Sequence, residues 1–296
     1  RVSQTAAPDL RRSAEGLSGA LPPLLVAAEH LANSVLPGAH GRRRIGPGAE
    51  FWQFRPFSAG DPASRIDWRR SARGDDMFVR ETEWQAARAV TLWVDTGAAM
   101  GFSGAKGRGT KADRARLLAL ALALVLLRGG ERVGLAEADL PPRAGRGQAE
   151  QLSLALATES APGDEHAALD LHAAPAGGHV VLFSDFLGDM DAVERALDMA
   201  ASRAMRGILV QVLDPVEEDF PFDGRTRFES MSGHLNFETL RAADLRAAYR
   251  DRLAARKDRL AGLARQTGWH ATVMHTDRAP AEGLLWLYHA LGDGTR

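Results

Sequence analysis

Cysteine is absent from the 296 residues of this chain. Its absence excludes disulfide bonds, thiolate zinc sites and cysteine nucleophiles. Lysine is scarce, with three residues, Lys106, Lys111 and Lys257, while all other cationic side chains are arginine. A charge excess is missing too, because 37 basic residues face 38 acidic ones and the formal net charge is −1. The chain as a whole therefore does not attract nucleic acid, and we expect none as a partner.

Long apolar runs are also missing. The longest, Leu117–Leu127, has eleven residues, well short of the roughly 20 that a membrane-spanning helix needs. The pair Arg11-Arg12 is not followed closely enough by an apolar stretch to indicate a signal peptide. We therefore expect a cytoplasmic protein without direct membrane insertion.

Strand-like and helix-like segments alternate along most of the chain. Strands are predicted at 90–95, 132–136, 179–184, 207–213 and 269–275. Helices are predicted at 24–35, 111–128, 148–158, 190–205, 239–266 and 281–291. Because parallel neighbours need long crossover connections, this alternation predicts an α/β fold with a mainly parallel sheet covered by helices on both faces.

The stretch from Gly48 to Arg73 is the most informative part of the sequence. Aromatic residues alternate there with charged ones in a pattern too irregular for a helix and too structured for a linker. The characteristic residues in and around it are Gly46, Gly48, Glu50, Phe51, Arg55, Pro56, Gly60, Asp61, Arg65, Ile66, Asp67, Trp68, Ser71, Ala72, Arg73, Val79, Arg80 and Glu81. This set resembles the hallmark of domain-of-unknown-function family fifty-eight, which is related to von Willebrand factor A domains.

The resemblance implies a domain organisation and a partner. It implies a von Willebrand factor A-like domain over residues 90–296, preceded over residues 21–89 by a helix and a family-specific irregular or β segment. Residues 1–20 are expected to be flexible. Members of the family are commonly encoded beside MoxR-type AAA+ ATPases, so the resemblance also implies such an ATPase and client proteins as partners.

Two strongly apolar strands end in acids, Asp95 and Asp185. In von Willebrand A domains the first acid opens an Asp-x-Ser-x-Ser metal site, but Gly97 and Ala99 stand at the two serine positions here. Asp95, Thr96 and Asp185 remain as candidate ligands for magnesium, bound partly through water. The alternative is structural, with acids accepting N–H bonds at helix entrances. We expect no tightly bound metal and no cofactor.

A glycine-rich loop over residues 104–111 resembles a phosphate-binding loop. It ends in Thr-Lys instead of Lys followed by Ser or Thr, and it begins well after the strand has ended. A surface loop with Lys106, Arg108 and Lys111 is expected instead, able to meet acidic loops of a protein partner. The long helix predicted after residue 239 has an arginine-rich face that offers a second such surface.

The hallmark segment is locally basic, with nine arginines against five acidic residues between positions 42 and 80. The residues of interest are Arg55, Asp61, Arg65, Asp67, Trp68 and Arg73. Bidentate ion pairs among them are expected to pin the segment in place, since arginine geometry suits paired carboxylates. Recognition of a partner by these residues, and stacking of nucleic-acid bases on the interleaved aromatics, are the other interpretations.

The sequence therefore predicts a binding protein and not an enzyme. The expected role is that of a non-catalytic adaptor, working with a MoxR-type AAA+ ATPase in chaperone-like assembly or maturation of other proteins. The alternative is a metal-dependent hydrolase or nucleotide-binding protein that uses Asp95 and Asp185.

Overall fold

A computed structural model of the chain describes residues 23–35, 50–58, 66–72, 77–83, 87–158 and 164–293. The chain divides into two compact units. Residues 38–88 form the smaller unit, and residues 1–37 together with 89–296 form the larger one. The N-terminal segment expected to be flexible, residues 1–20, lies outside the described residues.

The smaller unit contains an antiparallel strand pair. Strand β1 (Glu50–Pro56) pairs with β2 (Phe78–Glu83). Ile66 forms an isolated bridge with Val79, and both side chains are buried. A single-turn helix, α2 (Trp68–Ser71), follows that bridge. In its described part, the hallmark segment therefore has the irregular and β character expected of it.

The larger unit is built on a six-stranded sheet. Its strands are β3 (Ala89–Val94), β4 (Arg132–Leu135), β5 (Leu140–Arg143), β6 (His179–Ser184), β7 (Arg206–Leu213) and β10 (His270–His275). They lie in the order β10-β7-β6-β3-β4-β5, and every neighbouring pair is parallel except β4 with β5. The predicted α/β fold with a mainly parallel sheet is confirmed.

Helices connect these strands and cover both faces of the sheet. They are α1 (Pro23–Val35), α3 (Lys111–Arg128), α4 (Arg146–Ala157), α5 (Met190–Ser202), α6 (Pro215–Asp219), α7 (Arg246–Thr267) and α8 (Pro280–Asp293). One apolar cluster joins the sheet to α1, α3, α4 and α8, and a second joins it to α5 and α7. In β6, Val181 and Phe183 belong to the first cluster and Val180 and Leu182 to the second. This alternation places the two clusters on opposite faces.

Helix α3 lies at the centre of the first layer. Thr110 and Asp113 form a capping box at its start, in which each side chain accepts the other's backbone N–H. All side chains from Leu118 to Leu126 are buried, as expected for a helix apolar on most faces. Neither α3 nor any other helix in the described ranges is long and apolar enough to cross a membrane.

Helix α1 belongs to the larger unit, whereas the sequence-based division grouped it with the hallmark segment. Leu25, Ala28 and Leu31 are buried and share one apolar cluster with α3. Their spacing of three residues places them on one face of the helix. An apolar face of this kind is stable only when it is covered, and α3 covers it.

The sequence predicted that the last long helix begins at residue 239. This prediction is wrong, because residues 239–245 lie outside that helix. Strands β8 (Thr226–Glu229) and β9 (Asn236–Thr239) form a hairpin, and a 3₁₀ turn leads from it into α7. The hairpin is anchored by Phe228, whose ring stacks on that of Phe220 at 5.6 Å between centroids. Phe220 also packs on Tyr249 of α7, with 4.8 Å between the ring centroids, so aromatic contacts connect the hairpin to the beginning of that helix.

Candidate functional site

Strands β3 and β6 are parallel neighbours at the middle of the sheet. From β3 the chain first continues to β4 on one side, and it later returns to β6 on the other. The residues that follow the two strands, Asp95 and Asp185, therefore emerge at the same edge, where α/β folds bind their ligands. The structure thus brings together two acids that lie far apart in the sequence, and both are buried.

The Asp95 carboxylate holds three segments together. Its Oδ1 accepts hydrogen bonds from the backbone N–H of Gly97 at 2.8 Å and of Ala167 at 3.1 Å. Its Oδ2 accepts one from the Ser184 hydroxyl at 2.6 Å. Both oxygens are therefore occupied by the protein itself, which is the structural role that the sequence analysis offered as an alternative to metal binding.

The Asp185 carboxylate is paired with a buried lysine. The Lys111 Nζ lies 2.7 Å from Asp185 Oδ2 and 2.7 Å from Glu217 Oε1. The lysine side chain is 1% exposed. The other Asp185 oxygen accepts the N–H of Leu187 at 2.9 Å. An ammonium thus lies between the carboxylates of Asp185 and Glu217, in a buried charged cluster at the carboxyl edge of the sheet that we call the cleft.

The electrostatics of the cleft favour a cation at this point. Burial acts to lower the pKa of Lys111, but the charges and hydrogen bonds of Asp185 and Glu217 outweigh it and raise this pKa above its usual 10.5. Burial raises the pKa of Glu217, Lys111 opposes that effect, and the Asp185 charge adds to it. Burial, with the charges of Glu217 and Asp185, also raises the pKa of Tyr249 to about 12. One ammonium is shared by the carboxylates of Asp185 and Glu217, so these three groups together carry a net negative charge when all are ionised.

Asp214 forms a second ion pair beside the first. Both its oxygens accept from Arg108 Nη1, at 3.0 and 3.2 Å, and it also accepts from the Val216 N–H and the Thr276 hydroxyl. Burial acts to raise the pKa of Asp214, but these hydrogen bonds outweigh it and the pKa is lowered. Glu217 links the two pairs, because its Oε2 accepts the Asp214 N–H at 2.8 Å.

The backbone of residues 164–167 crosses directly over Gly97. A Cβ atom added to Gly97 would lie 2.6 Å from the carbonyl oxygen of Glu165. That oxygen accepts the N–H of Ala99 at 2.9 Å. The crossing also brings His166 Nδ1 to 3.7 Å from Asp185 Oδ1. Sequence reasoning missed this segment, because the pair Glu165-His166 fits no metal-binding spacing and its contacts here are long-range.

Divalent metal is the group that the von Willebrand A resemblance implies at this position, and the residues present do not fit it. Asp95, His166 and Asp185 do offer donor atoms that all lie within 4.8 Å of one another. The carboxylates are nevertheless committed to N–H, hydroxyl and ammonium donors, and Gly97 and Ala99 supply no side-chain oxygen. Hard cations need six or more oxygen ligands, including water. This cleft therefore does not form a tight site for such an ion.

The basic residues predicted for partner docking differ in their availability. Lys106 is exposed. Arg108 is 27% exposed and engaged with Asp214. Lys111 is enclosed, so the prediction that it presents its charge to a partner does not hold. Thr96, the remaining candidate metal ligand, is half-buried beside Asp95.

Among the hallmark residues, Asp61, Arg65 and Arg73 lie outside the described residues. The backbone of Arg55 pairs with Val79 in the β1–β2 ladder, and the Trp68 side chain is 64% exposed. Asp67 is half-buried and caps α2, since its Oδ1 accepts the N–H of Arg69 at 3.1 Å and of Arg70 at 3.0 Å. The sequence analysis expected Asp67 to form an ion pair with an arginine. Its role as a helix cap was not predicted.

Substitution of Asp67 by alanine is expected to lower the free energy of unfolding by about 1 kcal/mol, the usual contribution of an N-cap. Asparagine caps helices as well as aspartate does, so Asp67→Asn is expected to retain most of this stability. Chemical denaturation of the two variants checks the role. Equal losses in both would show that the negative charge of Asp67 matters more than its cap.

Fold and site together define a mainly parallel α/β protein with a charged cleft at the carboxyl ends of two adjacent strands. The chain belongs to the family described as "Protein of unknown function DUF58", whose model matches residues 53–259. It is 28% identical over 275 residues to the uncharacterized protein Rv1480 of Mycobacterium tuberculosis, covering 88% of this chain and 86% of that protein. The uncharacterized protein Mb1516 of Mycobacterium bovis matches with the same figures.

Two solved structures are also similar to this chain. One is the conserved hypothetical protein BatB of Bacteroides thetaiotaomicron, and the other is an aerotolerance-related membrane protein of Bacteroides fragilis that carries multiple mutations to serine. Each is 12% identical, with a TM-score of 0.42, and the match covers 70% of this chain and all of the other.

Proposed function

We propose that this chain is a non-catalytic protein-binding adaptor, working with a MoxR-type AAA+ ATPase in chaperone-like assembly or maturation of other proteins. The observation that carries the proposal is an exposed apolar surface next to a cleft whose acids are already satisfied. Each oxygen of Asp95 and Asp185 already accepts a hydrogen bond from the protein, which disfavours their use as ligands of a catalytic metal or as acceptors of a substrate proton. Exposed apolar patches, by contrast, mark surfaces that bind proteins.

The apolar surface lies on the β8–β9 hairpin and the residue that follows it. Its large apolar side chains are between 47% and 73% exposed and lie within ten residues of sequence: Met231, Leu235, Phe237 and Leu240. Single exposed apolar side chains are common on protein surfaces, but several close together mark a surface that binds another protein. We call these four residues the apolar hairpin surface.

This surface is joined to the cleft through Glu165. Its carboxylate accepts the backbone N–H of Met231 at 3.2 Å and of Ser232 at 2.8 Å at the hairpin turn. The next residue is His166, which faces Asp185. A partner seated on the hairpin would therefore lie beside the carboxyl edge of the sheet. Exposed Lys106 lies in the loop between β3 and α3 at the same edge.

The identity of the partner rests on family resemblance, which is an associational argument. The related assignment of a von Willebrand factor A-like fold is supported by the strand order and by the acids after β3 and β6. A cytoplasmic location and the absence of nucleic acid from the partners complete the proposal. The near-zero net charge of the chain supports the latter.

Introduction of negative charge on the apolar hairpin surface tests the proposal. The double variant Phe237→Glu/Leu240→Glu is expected to weaken binding to a MoxR-type ATPase of the same genome by about tenfold or more, because buried apolar anchors dominate interface energies. Leu154→Glu is the matched control, since Leu154 is 67% exposed on α4. Binding is measured with purified proteins by calorimetry, and circular dichroism verifies that each variant is folded. Undiminished binding of the double variant would place the interface elsewhere, and failure of the wild-type chain to bind would contradict the choice of partner.

A further inference from the structure

The position of Lys111 is unusual for a lysine. It is the first residue of α3, directly after the N-cap Thr110. The start of a helix carries a partial positive charge and favours acidic side chains, so a lysine there is disfavoured by the helix itself. Burial of its ammonium adds a desolvation cost. Contacts with the surrounding acids must offset both costs.

Those contacts join three parts of the larger unit. Asp185 follows β6, Glu217 lies in α6 after β7, and Lys111 begins the helix after β3. The Phe102 ring lies beside the ammonium, with its centroid 5.8 Å from Nζ. The ammonium therefore connects the loops that follow three neighbouring strands of the sheet. A divalent cation bound at the carboxyl edge of such a sheet would make the same connection.

We propose that the Lys111 ammonium is a tethered cation that takes the place of a divalent metal ion in this cleft. It neutralises Asp185 and part of the charge of Glu217, and it fixes the three loops without any ion from solution. Three carboxylates, those of Asp185, Asp214 and Glu217, are paired with the two cations Lys111 and Arg108. Removal of the ammonium leaves Asp185 and Glu217 facing each other without a counter-charge, which favours uptake of a cation from solution.

Two substitutions of Lys111 separate charge from packing. Lys111→Ala removes the charge and leaves space for a small cation, whereas Lys111→Met removes the charge but fills most of the space. Both are expected to lower Tm by about 10 °C, from the cost of breaking a buried ion pair and the usual relation of stability to Tm. Lys106→Ala is the matched control, because Lys106 is exposed in the loop that precedes Lys111, and its Tm is expected to be unchanged.

Rescue by added cations is the decisive measurement. MnCl₂ and propylammonium chloride are each expected to raise the Tm of Lys111→Ala by several degrees and to leave wild type and Lys111→Met unchanged. Calorimetry with MnCl₂ is expected to detect a site in Lys111→Ala and none in wild type. The neutral alcohol 1-propanol fills the same space without charge. Equal rescue by 1-propanol would overturn the proposal, because filling of space would then suffice.

Three further outcomes would also overturn the proposal. They are a tight manganese site in wild type, a Lys111→Ala variant as stable as wild type, and an unstable one that neither cation rescues. If Lys111→Ala does not fold, the double variant Lys111→Ala/Glu217→Gln is used. It removes one of the two negative charges that repel each other once the ammonium is absent. It is expected to be more stable than the single variant, and equal or lower stability would contradict the tethered-cation role. None of these readouts involves a protein partner, so their outcome is independent of the proposed adaptor function.

Discussion

Substitution of Asp95 by alanine is expected to lower the free energy of unfolding by about 4 kcal/mol. The change removes the acceptor for the Ser184 hydroxyl and for the N–H groups of Gly97 and Ala167. Each buried donor left without a partner costs about 1–3 kcal/mol. Three such donors at one site give a loss near the upper end of single substitutions. Chemical denaturation measures the loss, provided that the dependence of the unfolding free energy on denaturant concentration, the m value, equals that of wild type.

Asp95→Asn and Ser184→Ala are the controls for this prediction. The asparagine carbonyl keeps the contacts with Gly97 and Ala167, so Asp95→Asn is expected to lose less than half as much stability as the alanine variant. In Asp95→Ala/Ser184→Ala the hydroxyl is removed with its acceptor, and the two losses are expected to be less than additive. A stable Asp95→Ala protein would show that the carboxylate does not hold the loops. The alternative use of Asp95 as a metal or catalytic ligand would then gain support.

Local patterns in the sequence predicted the sheet and most of its helices. The strand predicted over 207–213 is observed at Arg206–Leu213, and the helix predicted over 111–128 is observed at those residues. These elements are long, apolar and bounded by polar or glycine residues, so their propensity and burial agree. Parallel order places Asp95 and Asp185 at the same edge of the sheet, whereas the strand order that makes β3 and β6 neighbours is seen only in the structure.

The occupant of the cleft was beyond sequence reasoning. Lys111 and Glu217 are separated by 106 residues, and their contact arises because β7 lies two strands from β3. As local signals, Lys111 suggests a surface lysine in a glycine-rich loop and Glu217 a residue of a short capped helix. One feature of the sequence indicated that Lys111 has a special role. A lysine at the first position of a helix is disfavoured by the helix dipole, so other contacts must hold it there.

The start of the last long helix was placed too early for a different reason. Residues 239–245 contain leucine, alanine and arginine, which favour helix, so the helix prediction was extended to them. The aromatic contact between Phe220 and Phe228, and the hydrogen bonds from Met231 and Ser232 to Glu165, fix the preceding segment as a hairpin. The hydrogen bonds to Glu165 are tertiary contacts, and tertiary contacts override weak local propensity.

Gly97 stands at a serine position of the metal-binding motif, but the structure requires glycine there for reasons of space. On the basis of the sequence, Gly97 is a position where a metal-binding serine has been lost. The structure shows that residues 164–167 lie so close to it that a side chain cannot be accommodated. A Cβ atom there would lie 2.6 Å from the Glu165 carbonyl oxygen, 2.6 Å from His166 Cα and 2.8 Å from the Ala167 nitrogen. All three are backbone atoms, which cannot move aside as a flexible side chain would.

Restoration of the serine at this position is therefore expected to destabilise the protein instead of creating a metal site. Gly97→Ser is predicted to cost about 3 kcal/mol, the upper range for overpacking a buried position. Displacement of residues 164–167 also weakens the hydrogen bond from Ala167 to Asp95 and that from Ala99 to Glu165. The dihedral angles of Gly97 are φ −61° and ψ 153°, which serine adopts readily, so the cost is one of space alone.

Gly147→Ser is the matched control, because a Cβ atom at Gly147 would meet no other atom within 4 Å. Its stability is expected to equal that of wild type or to exceed it slightly, since serine is a better helix former than glycine. Thermal unfolding of both variants with and without MgCl₂ completes the test. Magnesium is expected to leave the Tm of Gly97→Ser unchanged, because Lys111 still occupies the cleft. Stabilisation of Gly97→Ser by magnesium would show that the lost serine alone prevents metal binding and that Lys111 yields to the ion.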